Sequence, residues 1–157
     1  MTKLFSLLAL ASLAAGIAPK QAAQTPPPAI PAVPDKVTIF PASQVNDFFA
    51  KSGTLVPDTP GGHYMIMTVR RDKPGLAEWH HQYADILYVV EGTATLVTGG
   101  HILEGKTTAP DEIRGRKIEG GHSQKLVKGD VVVIPKDTPH QFVEVSNPLL
   151  YLTVKAR

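Results

Sequence analysis

The chain has 157 residues, with 16 Lys plus Arg, 14 Asp plus Glu, six His and no Cys. A chain of this length forms about one domain, and the lack of Cys excludes disulfide scaffolds, thiolate metal sites and Cys nucleophiles. From residue 35 onward the basic and acidic residues number 14 each, and no basic run is interleaved with aromatic residues, so nucleic-acid binding is not expected.

The N-terminal region predicts an export signal over residues 1–23. Lys3 supplies the positive start, an apolar stretch rich in Leu and Ala runs from Leu4 to Ala15, and small residues follow as cleavage positions. An uncleaved anchor is the alternative, although the stretch is short for a membrane span. We therefore expect a secreted or periplasmic protein with no stable membrane span after processing. Residues 24–36 are rich in Pro and predict an extended linker, which places the folded domain at 37–157.

The folded domain is predicted to open with one short helix and to continue as strands. The segment from Pro41 to Lys51 has Ser43 as a candidate N-cap and an apolar stripe. Residues 101–122 are polar and irregular, and we expect them to form an insertion between two β halves. Short strands separated by turn residues favour an all-β sandwich or small barrel. The predicted strands are 63–70, 76–81, 85–91, 93–98, 125–127, 130–134, 140–145 and 150–154.

Two segments combine imidazole and carboxylate groups. Side chains alternate along a strand, so Glu78 and His80 share one face, and a turn near Tyr83 would bring Asp85 beside His80 on the paired strand. His140 begins another strand after a Pro-bounded turn. If His140 faces the same interior, two His and one or two carboxylates suit Fe(II), Mn(II), Ni(II) or Zn(II). A bound metal would offset the cost of burying these polar groups.

These two segments resemble the two motifs of the cupin superfamily. In the first segment Asp85 is followed after six residues by Gly92, which matches the end of the first motif with Asp in place of Glu. Three residues match the second motif in register: Gly129, Pro135 and His140. The resemblance implies a single antiparallel β-barrel of the double-stranded β-helix or jelly-roll type behind the short N-terminal helix. It also implies a homodimer.

The resemblance further implies a set of metal ligands. Both His80 and His81 lie at an allowed spacing from Asp85. If His80 takes the second His position of the motif, Glu78 takes the first, whereas the choice of His81 would put a Trp there, which cannot bind a metal. The predicted ligands are therefore Glu78, His80, Asp85 and His140. This carboxylate-rich set favours Mn or Fe, with Zn or Ni as alternatives, and a metal-free barrel that binds its ligand by hydrogen bonds stays open.

A ligand pocket is predicted beside the metal. Its candidate lining residues are His81, Met67, Tyr88 and Phe142, although the last three also fit plain barrel core. Arg114 either binds an anionic substrate or forms a salt bridge with Asp111 or Glu112. The predicted function is binding of a small oxygenated organic molecule, with a metal-dependent dioxygenase and an isomerase or lyase as the two enzyme classes. A non-catalytic, metal-free binder of a sugar-like ligand is the competing function, and the fold does not choose between them.

Overall fold

The structure, a computed structural model, describes residue 34 and residues 36–157. The predicted export signal and nearly all of the predicted linker lie outside the described residues. Within the described part the chain forms one helix and 13 strands in the following order. They are α1 (Ala42–Lys51), β1 (Gly53–Val56), β2 (Tyr64–Arg71), β3 (Ala77–His80), β4 (Ala84–Glu91), β5 (Thr93–Thr98), β6 (His101–Leu103), β7 (Lys106–Ala109), β8 (Glu112–Gly115), β9 (Lys117–Glu119), β10 (His122–Val127), β11 (Val131–Ile134), β12 (His140–Val145) and β13 (Leu149–Ala156).

Two antiparallel sheets face each other and enclose the core. One sheet has the strand order β1-β2-β13-β4-β11, the other has the order β10-β5-β12-β3-β8-β7, and β6 and β9 form a separate pair. Alternate side chains of each strand point inward, as on β4, where Leu87 and Val89 are buried and Tyr88 between them is exposed. The predicted all-β class is confirmed: the described residues form an antiparallel barrel of two facing sheets with one short helix before them.

Helix α1 packs against β1 and β2 on the five-stranded sheet. Its predicted apolar stripe buries Phe49. The predicted N-cap is wrong, because the residue before the helix is Pro41, at φ −58°, and no side chain caps the helix by a hydrogen bond. Pro41 has an extended backbone, with ψ 148°, and its carbonyl accepts a hydrogen bond from Val45 N at 3.0 Å. No helix among the described residues is long and apolar enough to cross a membrane.

The segment 101–122 is more regular than predicted. β6 pairs with β9, placing Ile102 opposite Ile118, and β7 and β8 continue the six-stranded sheet beyond β3. These strands are only three or four residues long, too short to show an apolar alternation in the sequence. The buried side chain of Gln141 ties the segment to β12, because it accepts a hydrogen bond from Ile118 N and donates one to Arg116 O. The segment is therefore attached to the six-stranded sheet both by the pairing of β8 with β3 and by the Gln141 side chain of β12.

Candidate metal and ligand site in the barrel

Three buried polar side chains converge between the two sheets. His80 ends β3, Asp85 lies on β4 and His140 begins β12, and they are 7%, 5% and 4% exposed. Asp85 Oδ2 lies 3.2 Å from His80 Nε2 and 3.6 Å from His140 Nε2. One ligand atom from each residue lies within 4.8 Å of the other two. This buried His-His-Asp group could hold a metal ion.

The route by which Asp85 reaches His80 differs from the predicted one. β3 and β4 are not paired, since they belong to different sheets, and the chain passes from one sheet to the other through residues 81–83, of which His81 and Gln82 are exposed. The two side chains therefore meet face to face across the barrel rather than side by side on a hairpin. His140 joins from the same sheet as His80, because β12 pairs with β3 and sets His140 opposite Glu78.

Both imidazoles are oriented by backbone carbonyls. His80 Nδ1 lies 2.8 Å from Tyr83 O, and His140 Nδ1 lies 3.0 Å from Thr138 O. A carbonyl can only accept, so each Nδ1 carries the proton and each Nε2 presents its lone pair toward Asp85. Protein metal sites use the same arrangement, in which the second ring nitrogen fixes the ring and its tautomer. Two imidazoles and one carboxylate suit Fe(II), Mn(II) or Zn(II).

The electrostatics of His140 and Asp85 favour the protonation states in which these two residues bind a metal. Burial lowers the pKa of His140 below its ordinary value, which keeps the ring neutral, as a ligand must be. Burial acts to raise the pKa of Asp85, but the adjacent His80 and the charge of Lys155 outweigh it, so the pKa of Asp85 is lowered. The carboxylate is therefore ionised at neutral pH.

Lys155 is part of this site and was missed by the sequence reasoning. β13 sets Lys155 directly opposite Asp85 on β4. Its Nζ donates to both carboxylate oxygens of Asp85, at 2.7 and 2.9 Å, and lies 3.0 Å from His80 Nε2. The predicted strand ended at residue 154, one residue short of this lysine. Alternation along the strand was the available signal, because buried Leu149, Tyr151 and Thr153 share the inward face with Lys155.

Glu78, the fourth predicted ligand, lines the same cavity but forms salt bridges with two arginines. Its Oε1 lies 3.0 Å from a guanidinium nitrogen of Arg114 and 3.4 Å from one of Arg71. Glu78 is not one of the three residues whose ligand atoms converge, so its role as a metal ligand stays a prediction. Arg114 forms the predicted salt bridge with Glu112, at 2.6 Å, and also lines the cavity. The position of Arg114 is therefore compatible with both predictions, a salt bridge and the binding of an anionic substrate.

A cavity of about 200 Å³ opens beside the His-His-Asp group. Of the four predicted lining residues, Met67 and Phe142 line it. Tyr88 does not, because the alternation on β4 points it outward, where it is 46% exposed. His81 does not either: its side chain is 60% exposed, with Nδ1 2.7 Å from Asp137 Oδ1. The cavity is lined by Met67, Val69, Arg71, Glu78, Asp85, Leu87, Arg114, His140, Phe142, Tyr151, Thr153 and Lys155.

One wall of the cavity carries a half-buried arginine beside two stacked aromatic rings, those of Phe142 and Tyr151. Arg71 Nε donates to the Tyr151 hydroxyl at 2.9 Å, and the guanidinium carbon lies 5.0 Å from the centre of the Phe142 ring. Burial acts to lower the pKa of Arg71, but Tyr151 and Glu78 outweigh it and raise the pKa. Nearby, Thr153 Oγ1 is the buried side-chain polar atom without a hydrogen-bond partner among the described residues. The wall thus offers a fixed positive charge and a free hydroxyl.

No protein-family model matches the sequence, and no curated protein does. The similar solved structures include a cupin 2 conserved barrel domain protein from Rhodopseudomonas palustris, with 19% identity and a TM-score of 0.46 over 67% of this chain and 59% of that one. The polyketide cyclase RemF from Streptomyces resistomycificus has 21% identity and a TM-score of 0.45 over 67% and 63% of the two chains. The DMSP lyase DddQ from Ruegeria pomeroyi has 18% identity and a TM-score of 0.45 over 68% and 46%. The chain thus spans less than two thirds of each of these three proteins.

Proposed function

We propose that the barrel binds a divalent metal ion on His80, Asp85 and His140 and a small oxygenated organic ligand beside it. The orientation of the two imidazoles carries the proposal. Both rings are held at Nδ1 by backbone carbonyls, at 2.8 and 3.0 Å, so that both Nε2 atoms face one buried carboxylate. Lone pairs gathered in this way repel each other unless a cation lies among them. The donor set favours Mn(II) or Fe(II), with Zn(II) or Ni(II) as alternatives.

The ligand that fits the cavity is small and carries an anionic group. The cavity of about 200 Å³ is smaller than the roughly 300–1,000 Å³ of pockets for drug-sized molecules. Three cationic side chains line it, against two anionic ones, which leaves one excess positive charge. The Thr153 hydroxyl, buried without a partner, would meet a ligand oxygen. Met67 and Phe142 supply apolar contacts for the carbon skeleton.

Two reaction classes suit such a site if the protein is an enzyme. When bound, a metal ion would supply Lewis acidity or, for a redox metal, the chemistry of oxygen activation. The protein groups would bind and orient the ligand: Arg71 and Arg114 hold the Glu78 carboxylate at the cavity wall, within reach of a ligand proton. A dioxygenase and an isomerase or lyase both use these elements. Oxygen uptake with a panel of catechols, diketones and hydroxy acids would separate the first class from the second.

Metal analysis of the untagged protein, purified without added metal, tests the metal site. We expect Mn(II) or Fe(II) to bind in a one-to-one ratio, and the variant His140→Gln to lose that binding. His101→Ala is the matched control, because His101 is exposed on β6 and outside the cavity. A wild-type protein that neither retains nor takes up a metal would contradict the proposal, as would equal loss of metal in the two variants.

A metal-free binder is the second candidate, and one observation favours it. The ammonium of Lys155 already lies 2.7 Å from Asp85 Oδ1 and 3.0 Å from His80 Nε2, and so supplies a cation to the same atoms. Such a protein would bind an anionic or sugar-like molecule by hydrogen bonds alone. Thermal shifts produced by ligands in the presence of a chelator, without turnover, would support this candidate over the first.

Export and dimer formation complete the proposal. For export, the predicted signal at 1–23 is the support, and N-terminal sequencing of protein from the periplasm or medium tests it.

For the homodimer, the support is a row of exposed apolar side chains on the paired strands β4 and β11: Ile86, Tyr88, Val131 and Val133. Sedimentation analysis should show a dimer that Val133→Lys converts to a monomer. A monomeric wild-type protein would contradict the dimer.

A further inference from the structure

Lys155 contacts the atoms of His80 and Asp85 that a metal ion would bind. His80 Nδ1 is committed to the carbonyl of Tyr83 at 2.8 Å, so His80 Nε2 has a single lone pair in the ring plane. That lone pair faces Lys155 Nζ at 3.0 Å. A metal ion bound to His80 would need the same lone pair, and one lone pair cannot serve a hydrogen bond and a coordinate bond at once.

Asp85 is shared in the same way. Lys155 Nζ contacts both of its oxygens, at 2.7 and 2.9 Å, so the ammonium faces the whole carboxylate edge. The side chain of Asp85 is 7% exposed and that of Lys155 is 20% exposed. Both residues line the cavity, and the more exposed Lys155, with its long flexible side chain, is the partner with room to turn into it. Of the three residues proposed to hold the metal, His80 and Asp85 contact the ammonium, whereas no such contact is seen for His140 among the described residues.

We propose that Lys155 is an internal competitor of the metal ion: its ammonium holds His80 and Asp85 together and must leave before a metal binds. The inference rests on the proposed metal site and adds a residue that sets its affinity. The site then has two arrangements, one closed by Lys155 and one loaded with metal, with Lys155 displaced into the cavity. Competition of this kind lowers metal affinity because the hydrogen bonds of the ammonium are lost when the metal enters.

Metal titration of the variant Lys155→Met tests the competition. Met keeps the length and the apolar stem of Lys and removes its charge and donors. We expect the variant to bind Mn(II) and Co(II) at least about tenfold more tightly than wild type, since hydrogen bonds to charged groups are among the stronger ones. Isothermal titration calorimetry gives the affinities, and Co(II) absorption bands report the coordination directly. Lys125→Met, at an exposed lysine of β10, is the matched control and should bind like wild type.

Chemical labelling of the wild-type protein gives a second measurement that needs no variant. Reductive methylation followed by peptide mass spectrometry should modify Lys155 slowly in metal-free protein and at least about threefold faster with saturating Mn(II), since its ammonium is then released from Asp85. The labelling of Lys125 should not change. Because it uses the wild-type protein, this measurement tests the competition even if Lys155→Met fails to fold.

The outcomes separate the inference from the proposal beneath it. Tighter metal binding by Lys155→Met, or faster labelling of Lys155 with metal, supports the competition. Equal affinities in wild type and Lys155→Met, or stoichiometric Mn(II) binding that leaves the labelling unchanged, would overturn the competition and leave the metal site standing. Failure of both folded proteins to bind any metal would overturn the metal site and the competition together.

Discussion

The pairing of Asp85 with Lys155 makes a quantitative prediction for metal-free protein. Asp85→Asn removes the charge that faces the ammonium at 2.7 and 2.9 Å while keeping the shape of the side chain. Removing one partner of a fully buried ion pair costs about 3–5 kcal/mol. Because the Lys155 side chain is 20% exposed, water partly solvates the ammonium that remains. The free energy of unfolding should therefore fall by about 3 kcal/mol, at the low end of that range.

The reverse change and the double change complete a thermodynamic cycle. Lys155→Met leaves the Asp85 carboxylate, the more buried of the two charges, against the lone pair of His80 Nε2 at 3.2 Å, and should cost about 4 kcal/mol. The variant with both changes leaves no charge unpaired, and the Asn amide can donate to His80. Its expected loss is about 2 kcal/mol, so the two sites should couple by about 5 kcal/mol.

Urea unfolding in the presence of a chelator measures the cycle, because bound metal would otherwise stabilise Lys155→Met. Arg70 and Asp72 form an exposed control pair at 2.9 Å, with side chains 33% and 50% exposed, and their two variants should add within about 0.5 kcal/mol. If the losses from Asp85→Asn and Lys155→Met also add within that margin, the ammonium and the carboxylate do not pair in solution. The competition between Lys155 and metal would then lose its basis.

Three further predictions follow from the described residues. Because burial lowers the pKa of His140 below 6.5, only the unfolded chain takes up a proton there just below that pH. In chelator, the free energy of unfolding should fall by up to about 1.4 kcal/mol per pH unit below pH 6.5, a slope that urea titrations should show reduced in His140→Gln. Gln141→Met leaves three backbone groups without their partners and should cost about 2–3 kcal/mol in urea; a loss below about 1 would contradict this. Gly92→Ala places a Cβ against the Ser146 hydroxyl at φ +88° and should cost more than Gly99→Ala, at φ +75° with open space, as compared by melting temperature.

Several strands around the site were predictable because turn residues separate short runs that carry apolar or β-branched side chains. The predicted strands 93–98 and 140–145 have the observed bounds of β5 and β12, and His140 at the start of β12 follows directly from them. The strands of the segment 101–122 were missed because pairs such as β6 with β9 contain three residues each. Backbone hydrogen bonds and the contact with Gln141 hold such strands, and neither leaves a pattern in the sequence.

One part of the candidate site follows from local sequence patterns, and another part depends on contacts between residues that are distant in the sequence. Period-two alternation correctly put Glu78 and His80 on one face, and it also shows why Tyr88, between buried Leu87 and Val89, points outward. The contact of Lys155 with Asp85 depends on the register between β13 and β4, two strands that are 70 residues apart in sequence at this point. No local pattern sets that register. It results from the closure of the barrel.

The identity of the cation in the site determines what the cavity attracts. With Lys155 against Asp85, the lining has three positive and two negative side chains, and a divalent ion would raise the excess charge by two. The excess positive charge would then attract an anionic ligand in both arrangements of the site, and more strongly in the metal-loaded one. A neutral sugar-like ligand would gain only hydrogen bonds to Thr153 and Glu78 in either case. Because Lys155 would leave Asp85 when a metal enters, its ammonium would become free for the anionic group of the ligand, so metal and anionic ligand should each strengthen the binding of the other.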